Sequence, residues 1–358
     1  MRTIMLIDMD YFFVACEELR RPEIIGRPAI VGADPKEGKG RGVVSTCSYE
    51  ARKYGIRSGM PISTAYRLMP DAFFMPVDDT YYEEVSGRIF SIVKEYAARM
   101  EQVSVDEAFI DVSGKVGSYD DAAVYAGLIK GDILKRVGLK CSIGIGPNKL
   151  IAKMACESAK PNGIRLVKEN EVRDFLSGIR IGDMHGVGGK TEARLNAMGY
   201  KTLGDIAASS PVRLFTEFGA YGLEIHRNAN GIDDSEVVDY HGIKSIGREK
   251  TFDSDTKKWD EISNALRFLS GEVFDELRRK GMAFRTVTVK IRYSDFTEHL
   301  KSASLVHGSQ DMEGIAKNAV KLFNSSRNGD KSIRKIGVRV SGLIAYKGQK
   351  KISSFMVN

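Results

Sequence analysis

Residues 4–17 read IMLIDMDYFFVACE: an apolar run from Ile4 to Ile7, then Asp8 and Asp10, then three consecutive rings, Tyr11, Phe12 and Phe13. A short apolar run bounded by polar residues predicts a buried strand. Acids at the end of a core strand are costly unless they find water, a partner or a cation. A second stretch, residues 102–114, QVSVDEAFIDVSG, predicts another apolar strand with Asp106 and Glu107 inside it. Side by side, two such strands would bring Asp8, Asp106 and Glu107 to one spot. Hard oxygen ligands with no His or Cys nearby call for Mg²⁺ or Mn²⁺. A carboxylate pair holding two ions about 3.5–4 Å apart suits in-line attack at phosphorus. Asp10 and Asp111, taken singly, read as acids that meet water at a sheet edge.

Of two such ions, one would make a sugar hydroxyl nucleophilic and the other would hold a triphosphate, which needs cations as well. Tyr49 and Arg52, in TCSYEARKYG, are three residues apart and so share one face of a helical turn. Lys160, in ESAKPNG, stands just before a turn. An arginine grips phosphate oxygens with a planar fork and a lysine acts as a point charge. Lys149 and Lys153 read as solvated side chains or contacts to a nucleic-acid backbone.

The chain has 358 residues, 42% hydrophobic and 28% charged, which suits two or three globular domains. No run of apolar residues is long enough to span a membrane. The N-terminus enters a strand pattern directly, with no signal peptide. The four cysteines lack a C-x-x-C pairing and the five histidines are scattered, which argues against a zinc site and a disulfide framework and fits the reducing cytoplasm. Net charge is +7, unevenly distributed: residues 241–358 hold 23 Lys and Arg against 13 Asp and Glu. A basic C-terminal third on a near-neutral body suggests a polyanion-binding module beside a separate working part; a solvated lysine-rich surface is the alternative.

Along the chain, TYYEEVSGRIFSIVKEYAARM places Val85, Ile89, Ile92, Val93 and Tyr96 at helical spacing. A further helix is expected at about 119–137, a strand at KCSIGIG, and a helix at PNKLIAKMACESAK. Residues 167–233 read as short helices with glycine turns. DDSEVVDYHGI, acidic and aperiodic, reads as a linker over 234–243. Beyond it come strand (244–252), helix (259–280), two strands (284–293, 298–306), helix (311–325) and strand (333–344), the ferredoxin-like order.

GVGGKT, Gly186–Thr191, invites a P-loop reading, but the glycine that pattern needs is replaced by Met184 and no strand precedes it. A helix-hairpin-helix fits better, with Gly186 and Gly188 in the turn, Leu195 in its core and Gly199 at the helix end. Backbone N–H groups there, with Thr191 beside them, would cradle phosphates independently of sequence. A plain helix-joining turn is the alternative. Lys244 and Arg248 in KSIGREK, and Arg334, Lys335 and Arg339 in SIRKIGVRV, are expected to turn a set of charges toward a DNA backbone. Edge charges that deter aggregation are the ordinary alternative.

In this order and spacing, DMDYFF, YEARKYGIRSGMP, SVDEAF and AKPNGI resemble the Y-family translesion DNA polymerases of the DNA polymerase IV type. The resemblance covers roughly residues 1–345. It implies an α+β multidomain right-hand polymerase: palm over 1–10 and 78–166, small fingers over 11–77, helical thumb over 167–233. A ferredoxin-like little finger over 244–345 and a tail over 346–358 complete it. It further implies that Asp8, Asp106 and Glu107, with the Met9 carbonyl, hold two Mg²⁺ ions, with Mn²⁺ able to substitute. Tyr49, Arg52, Lys160 and the amides of Phe12 and Phe13 fall where the family binds the triphosphate. Phe13 falls at the steric gate that rejects a ribose 2′-hydroxyl. Small residues Val43, Val44, Ser45 and Thr46 fall near the nascent pair. Primer-template DNA and a dNTP are the implied partners of a monomer with no membrane attachment, and no stretch is left for a proofreading domain. In the tail YKGQKKISSFMVN, Gln349, Ile352 and Phe355 resemble a sliding-clamp box, with methionine in place of its second aromatic. Two rival readings stand beside this one. Another two-metal palm enzyme, such as a nucleotide cyclase, would need no duplex grip, and a non-catalytic DNA-binding scaffold would need no acids.

Overall fold

The computed structural model describes residues 1–239 and 242–346. The chain divides into two units, Met1–His241 and Gly242–Asn358.

In the first unit, β1 (Ile4–Met9) is followed by α1 (Phe12–Arg20). A small sheet comes next, made of β2 (Ala29–Gly32), β3 (Val44–Cys47) and β4 (Phe73–Met75) in the order β3-β2-β4. It carries α2 (Tyr49–Lys53) and α3 (Ile62–Leu68). Val44 is buried in this segment's own core and Val43 is exposed. Then α4 (Asp79–Tyr96) buries Val85, Ile89, Ile92 and Val93. Its N-terminus is capped by Asp78, whose carboxylate accepts the Tyr81 N–H.

The main sheet adds β5 (Arg99–Gln102), β6 (Glu107–Asp111), β7 (Cys141–Gly146) and β8 (Ile164–Leu166) to β1, in the order β5-β6-β1-β7-β8. Between them run α5 (Tyr119–Val137) and α6 (Lys149–Ala159). Alternation along β1 divides its residues between two cores. Met5, Ile7 and Met9 face the larger one; Ile4 and Leu6 meet Ala152 and Cys156 of α6. Helix α6 packs against β7 because residue 144 is glycine: a Cβ there would lie 2.0 Å from the Ala152 carbonyl oxygen. This close approach sets the α6 side chains over the face that carries Asp8.

The single strand expected over QVSVDEAFIDVSG is instead two strands, β5 and β6, paired antiparallel, with Ser104–Asp106 in the bend between them. Asp106 therefore sits at a hairpin tip and Glu107 opens β6, so neither acid lies inside a continuous strand.

Five helices follow: α7 (Val172–Ser177), α8 (Gly189–Ala197), α9 (Leu203–Ala207), α10 (Pro211–Phe218) and α11 (Ala220–Ala229). They share a core that includes Leu176, Leu195, Leu203, Leu214 and Ile225, joined by Leu150 and Ile151 of α6. The stretch expected to run as a linker does not run free over 233–239. Val237 is buried against Ile4, Leu6 and Phe109, the Val238 N–H donates to Glu101, and the Met100 N–H donates to Asp239. One apolar side chain and a few backbone bonds are enough to dock it, a pattern too short for periodicity to reveal.

The second unit comprises β9 (Ser245–Thr256), α12 (Trp259–Arg279), β10 (Met282–Tyr293), β11 (Glu298–Ser309), α13 (Met312–Ser326), β12 (Ile333–Ser341) and a short β13 (Ile344–Ala345) beside β10. The strand order is β11-β10-β12-β9, with β10–β11, β10–β12 and β9–β12 all antiparallel. Two split β-α-β units thus interleave: β9-α12-β10 brackets β12, and β11-α13-β12 brackets β10. The core lies between this sheet and the two helices and includes Leu266, Leu269, Val287, Val289, Phe323 and Val338. The other sheet face is polar, with hydroxyl pairs Thr286–Ser304 and Thr288–Ser302 across β10 and β11.

Candidate active site

Antiparallel pairing of β1 with β6 sets Asp8 directly opposite Glu107. The Met9 N–H donates to the Asp106 carbonyl at 2.9 Å, which ties the hairpin tip to the end of β1. Ser104 shapes that tip: its hydroxyl accepts the N–H groups of Asp106 and Glu107 and donates to the Asp106 carboxylate. Local sequence and sheet register together bring the three acids into one neighbourhood.

Two lysines answer them. Lys160 Nζ lies 2.9 Å from Asp8 and 2.8 Å from Glu157. Lys153 Nζ contacts both carboxylate oxygens of Glu107, at 2.9 and 2.7 Å. A third lysine, Lys149, holds both oxygens of the buried Glu101 at 2.8 Å. Lys149 and Lys153 are thus each paired with an acid, not the freely solvated side chains their sequence context suggested. Nothing in the local sequence marks their partners, because Glu101 and Glu107 lie about fifty residues away on another element.

The charge balance leaves Asp8 short of positive neighbours. Burial pushes its carboxyl up to about 6; Lys160 pulls the other way, and Asp106 and Glu107 push it further up. Lys160 is itself opposed by burial, but two acids, Asp8 and Glu157, outweigh that and hold it protonated. Among the described residues, no group of three or more His, Cys, Asp or Glu side chains closes round a common point; two of the three acids are instead drawn to lysines. A cluster in which the carboxylates Asp8, Asp106, Glu107 and Glu157 outnumber the ammonium groups of Lys153 and Lys160 nevertheless fits a hard divalent cation.

Asp10 is a buried junction rather than an acid meeting water. It accepts the Ser142 hydroxyl at 2.9 Å, the Asn162 N–H at 2.7 Å and the Tyr49 hydroxyl at 3.4 Å. It therefore fixes the turn after Lys160 and aims Tyr49. Asp111 is held in a local turn by the N–H and hydroxyl of Ser113. Helix α2, capped by Ser48, sets Arg52 over the Tyr49 ring at 4.7 Å, so the expected shared face forms.

Helix α1 starts after Tyr11, whose φ is 39°; no side chain caps it and its first turn contains no acid. The opening N–H groups, those of Phe12 and Phe13, have no partner inside the helix, the setting that favours an anion. Phe12 is core, while the half-buried Phe13 stacks on Tyr82 with ring centroids 4.4 Å apart. Tyr82 donates to the buried Glu17 at 2.8 Å, so a carboxylate on α1 and a ring on α4 brace Phe13. Only the fold reveals Tyr82 in that role.

In the helical part, Gly186 adopts φ +89°, Gly188 caps α8, Thr191 lies in its first turn, Leu195 is fully buried and Gly199 adopts φ +96°. The Gly186 carbonyl accepts the Tyr221 hydroxyl at 2.7 Å.

The five basic residues expected to face DNA do not all share one face. Lys335 and Arg339 belong to the open sheet face, where Lys335 pairs with Glu249 at 2.7 Å. Arg339 lines a cavity of about 390 Å³ with Thr288 and Lys290. Arg248, by contrast, stands opposite Val338, whose side chain enters the core, and reaches Glu276 of α12 at 3.6 Å. Arg334 stacks over Phe296 at 4.6 Å, and Lys244 is exposed ahead of β9. Residues Gln349, Ile352 and Phe355 lie outside the described residues.

Comparison with known proteins gives this arrangement its family. The impB/mucB/samB family profile matches residues 7–157, its C-terminal domain matches 243–354, and its helix-hairpin-helix motif matches 169–200. The chain belongs to this family, the Y-family DNA polymerases, and is a DNA-directed DNA polymerase of the translesion class. It is similar to the DNA polymerase IV of Methanoculleus marisnigri, 44% identical over 342 residues that cover 96% of this chain and 94% of that protein. It is also similar to the DNA polymerase IV of Lactococcus lactis subsp. cremoris, strain SK11, at 38% over 95% of this chain and 94% of that protein. Among solved structures, the "Y-family DNA polymerase chimera Dbh-Dpo4(243-245)-Dbh" superposes with a TM-score of 0.88 at 30% identity, covering 96% of this chain and 99% of that one. An "insertion ternary complex of Dbh DNA polymerase" superposes with a TM-score of 0.69 at 30% identity, covering 96% and 99%. The right-hand fold of palm, fingers, helical thumb and C-terminal little finger is thereby established. Family membership implies dependence on a divalent metal. No helix among the described residues is long and apolar enough to cross a membrane.

Proposed function

We propose that this chain extends a DNA primer with dNTPs at the site where Asp8 opposes Glu107, with Asp106 beside them. The pairing register that joins these acids across β1 and β6 is the observation that carries the reading. Asp8, Asp106, Glu107 and the Met9 carbonyl would hold two Mg²⁺ ions, or Mn²⁺. When bound, the ions supply an acidified primer 3′-hydroxyl and charge stabilisation on the triphosphate. The chain's own residues do the rest. The N–H groups of Phe12 and Phe13, with Tyr49, Arg52 and Lys160, bind and orient the phosphates. Asp10 keeps Tyr49 and the Lys160 turn in place. Phe13, braced by Tyr82, excludes a ribose 2′-hydroxyl.

The domain boundaries follow the same reading: palm 1–10 and 78–166, fingers 11–77, thumb 167–233, connecting segment 234–243, little finger 244–345. Gly186, Gly188 and Thr191 of the thumb grip the DNA backbone by amide contacts, and Lys335 and Arg339 of the little finger meet it by charge. Lys244, Arg248 and Arg334 contribute less, Arg248 because it is turned toward α12. The ternary complex of the similar Dbh polymerase supports DNA and a nucleotide as the substrates here. The tail carrying Gln349, Ile352 and Phe355 would dock a sliding clamp, which raises the effective concentration of a monomeric, cytoplasmic enzyme at the primer end.

One primer-extension experiment tests the reading. Asp106→Ala should reduce extension by about 10³-fold or more while primer-template binding stays within a few-fold; near-normal extension would refute the metal-ligand assignment. In the same assay Phe13→Ala should lower the dNTP over rNTP preference in kcat/KM by about 10²-fold, and an unchanged ratio would place the gate elsewhere. Removal of residues 348–358 should leave basal extension intact and abolish stimulation by the cognate clamp; undiminished stimulation would rule the tail out.

A further inference from the structure

The lysines of α6 form a row that matches a row of acids on the sheet. Lys149 meets Glu101 of β5, Lys153 meets Glu107 of β6, and Lys160, just past the helix end, meets Asp8 of β1. The three contacts differ in kind. Glu101 is 4% exposed and also accepts the Val238 N–H, so its pair is a fixed part of the fold. Lys153 and Glu107 are 23% and 20% exposed, open enough to exchange partners. A single ammonium occupies both oxygens of Glu107, and those are the atoms a divalent cation would need. Lys153 also lines a cavity of about 330 Å³ together with His185, Glu224 and Asn228. The ammonium therefore has a place to go, with the Glu224 carboxylate among its walls. The Lys153 charge is felt across this cavity: His185 is held below its usual range by burial and, next, by Lys153.

We propose that Lys153 is a resident counter-cation of Glu107 which a divalent ion must displace, so that metal loading releases the Lys153 ammonium toward the cavity beside His185 and Glu224. The proposal rests on Glu107 being a metal ligand. Until metal arrives, the lysine keeps Glu107 in place beside two other acids; afterwards the same charge is free for a phosphate of the bound substrates. This makes Lys153 a positioning residue and a competitor of the ion.

Mn²⁺ binding to the full-length protein, without DNA or nucleotide, tests it by the electron paramagnetic resonance signal of unbound Mn²⁺. Lys153→Met should bind Mn²⁺ about threefold more tightly than wild type, as removal of a partly exposed ion pair allows. Lys153→Arg, which keeps the charge, should stay close to wild type. Glu107→Gln should weaken binding in either background and erase the Lys153→Met gain. Circular dichroism checks that each variant is folded, and Lys153→Gln carries the same comparison should Lys153→Met fail to fold. Equal or weaker Mn²⁺ affinity in the folded charge-removing variant would overturn the proposal, leaving the site reading intact provided Glu107→Gln still weakens binding. If Glu107→Gln has no effect, the site reading fails and the proposal with it.

Discussion

Both units set lysines against glutamates and aspartates across a β-sheet, yet the same pairing has opposite consequences in each. In the main sheet of the first unit, Asp8 has an ammonium 2.9 Å away and still has its carboxyl raised to about 6, because burial outweighs Lys160 and two further acids stand nearby. On the open face of the second unit, burial also pushes Glu249 upward, but Lys335 and Lys290 together outweigh it and its carboxyl lies below the usual range. Water and a surplus of cations relax the second site; their shortage leaves the first in want of a cation. A charge contact has no fixed value, and its surroundings decide its sign.

The sharpest way to break that contrast is to remove one lysine from each region. Lys149→Ala leaves Glu101 buried without its ammonium and should cost about 3–5 kcal/mol of unfolding free energy. Lys335→Ala, facing a Glu249 that is 40% exposed, should cost about 1 kcal/mol or less. Urea unfolding of the two variants measures both, and similar losses would dissolve the distinction.

A smaller effect, of opposite sign, is expected at Asp8. Its folded pKa lies above the ordinary carboxylate value, so the folded state binds the extra proton. The stability this brings is complete below about 3.8 and is lost as pH rises through about 6. Asp8→Asn removes the buried charge and should stabilise the chelator-treated protein by on the order of 2 kcal/mol at pH 7.5. The gain should shrink steadily as pH falls from about 6 toward 3.8. A variant no more stable than wild type at pH 7.5 would mean that Lys160 fully compensates Asp8.

The smallest effect concerns DNA. Arg339→Ala should weaken primer-template binding a few-fold and reduce the salt slope by about one unit. Arg248→Ala, which removes a contact to Glu276 on the helix side, should leave the slope unchanged. Equal slopes for the two variants would show that the open sheet face is not the DNA-facing one.

Much of this was legible in the sequence because period and composition are local quantities. The spacing over 80–100 foretold α4 and its buried face, although the helix ends at Tyr96 and Arg99 and Met100 belong to β5, and the β-α-β-β-α-β order of the last third is the order found. Asp8, Asp106 and Glu107 stood out because acids are rare in apolar runs. Other features resisted reading. Asp10 looked like a surface acid, yet its partners Ser142, Asn162 and Tyr49 come from three distant segments. The break between β5 and β6 was invisible because Val103 and Val105 continue the apolar alternation, while the bonds that turn the chain there, from the Val103 and Ser104 N–H groups to the Glu107 carbonyl and from the Asp106 and Glu107 N–H groups to the Ser104 hydroxyl, leave no mark on that alternation.

The sequence by itself determined which residues could carry the chemistry, and the family they belong to, since motif identity is written along the chain. Tertiary structure alone decided the pairings: Lys153 with Glu107, Tyr82 beneath Phe13, Val237 in the core of the main sheet, and Arg248 turned toward α12. The physical reason is that a charge or a ring acquires its role from neighbours supplied by other elements. Sheet register and the helix approach permitted at Gly144 choose those neighbours.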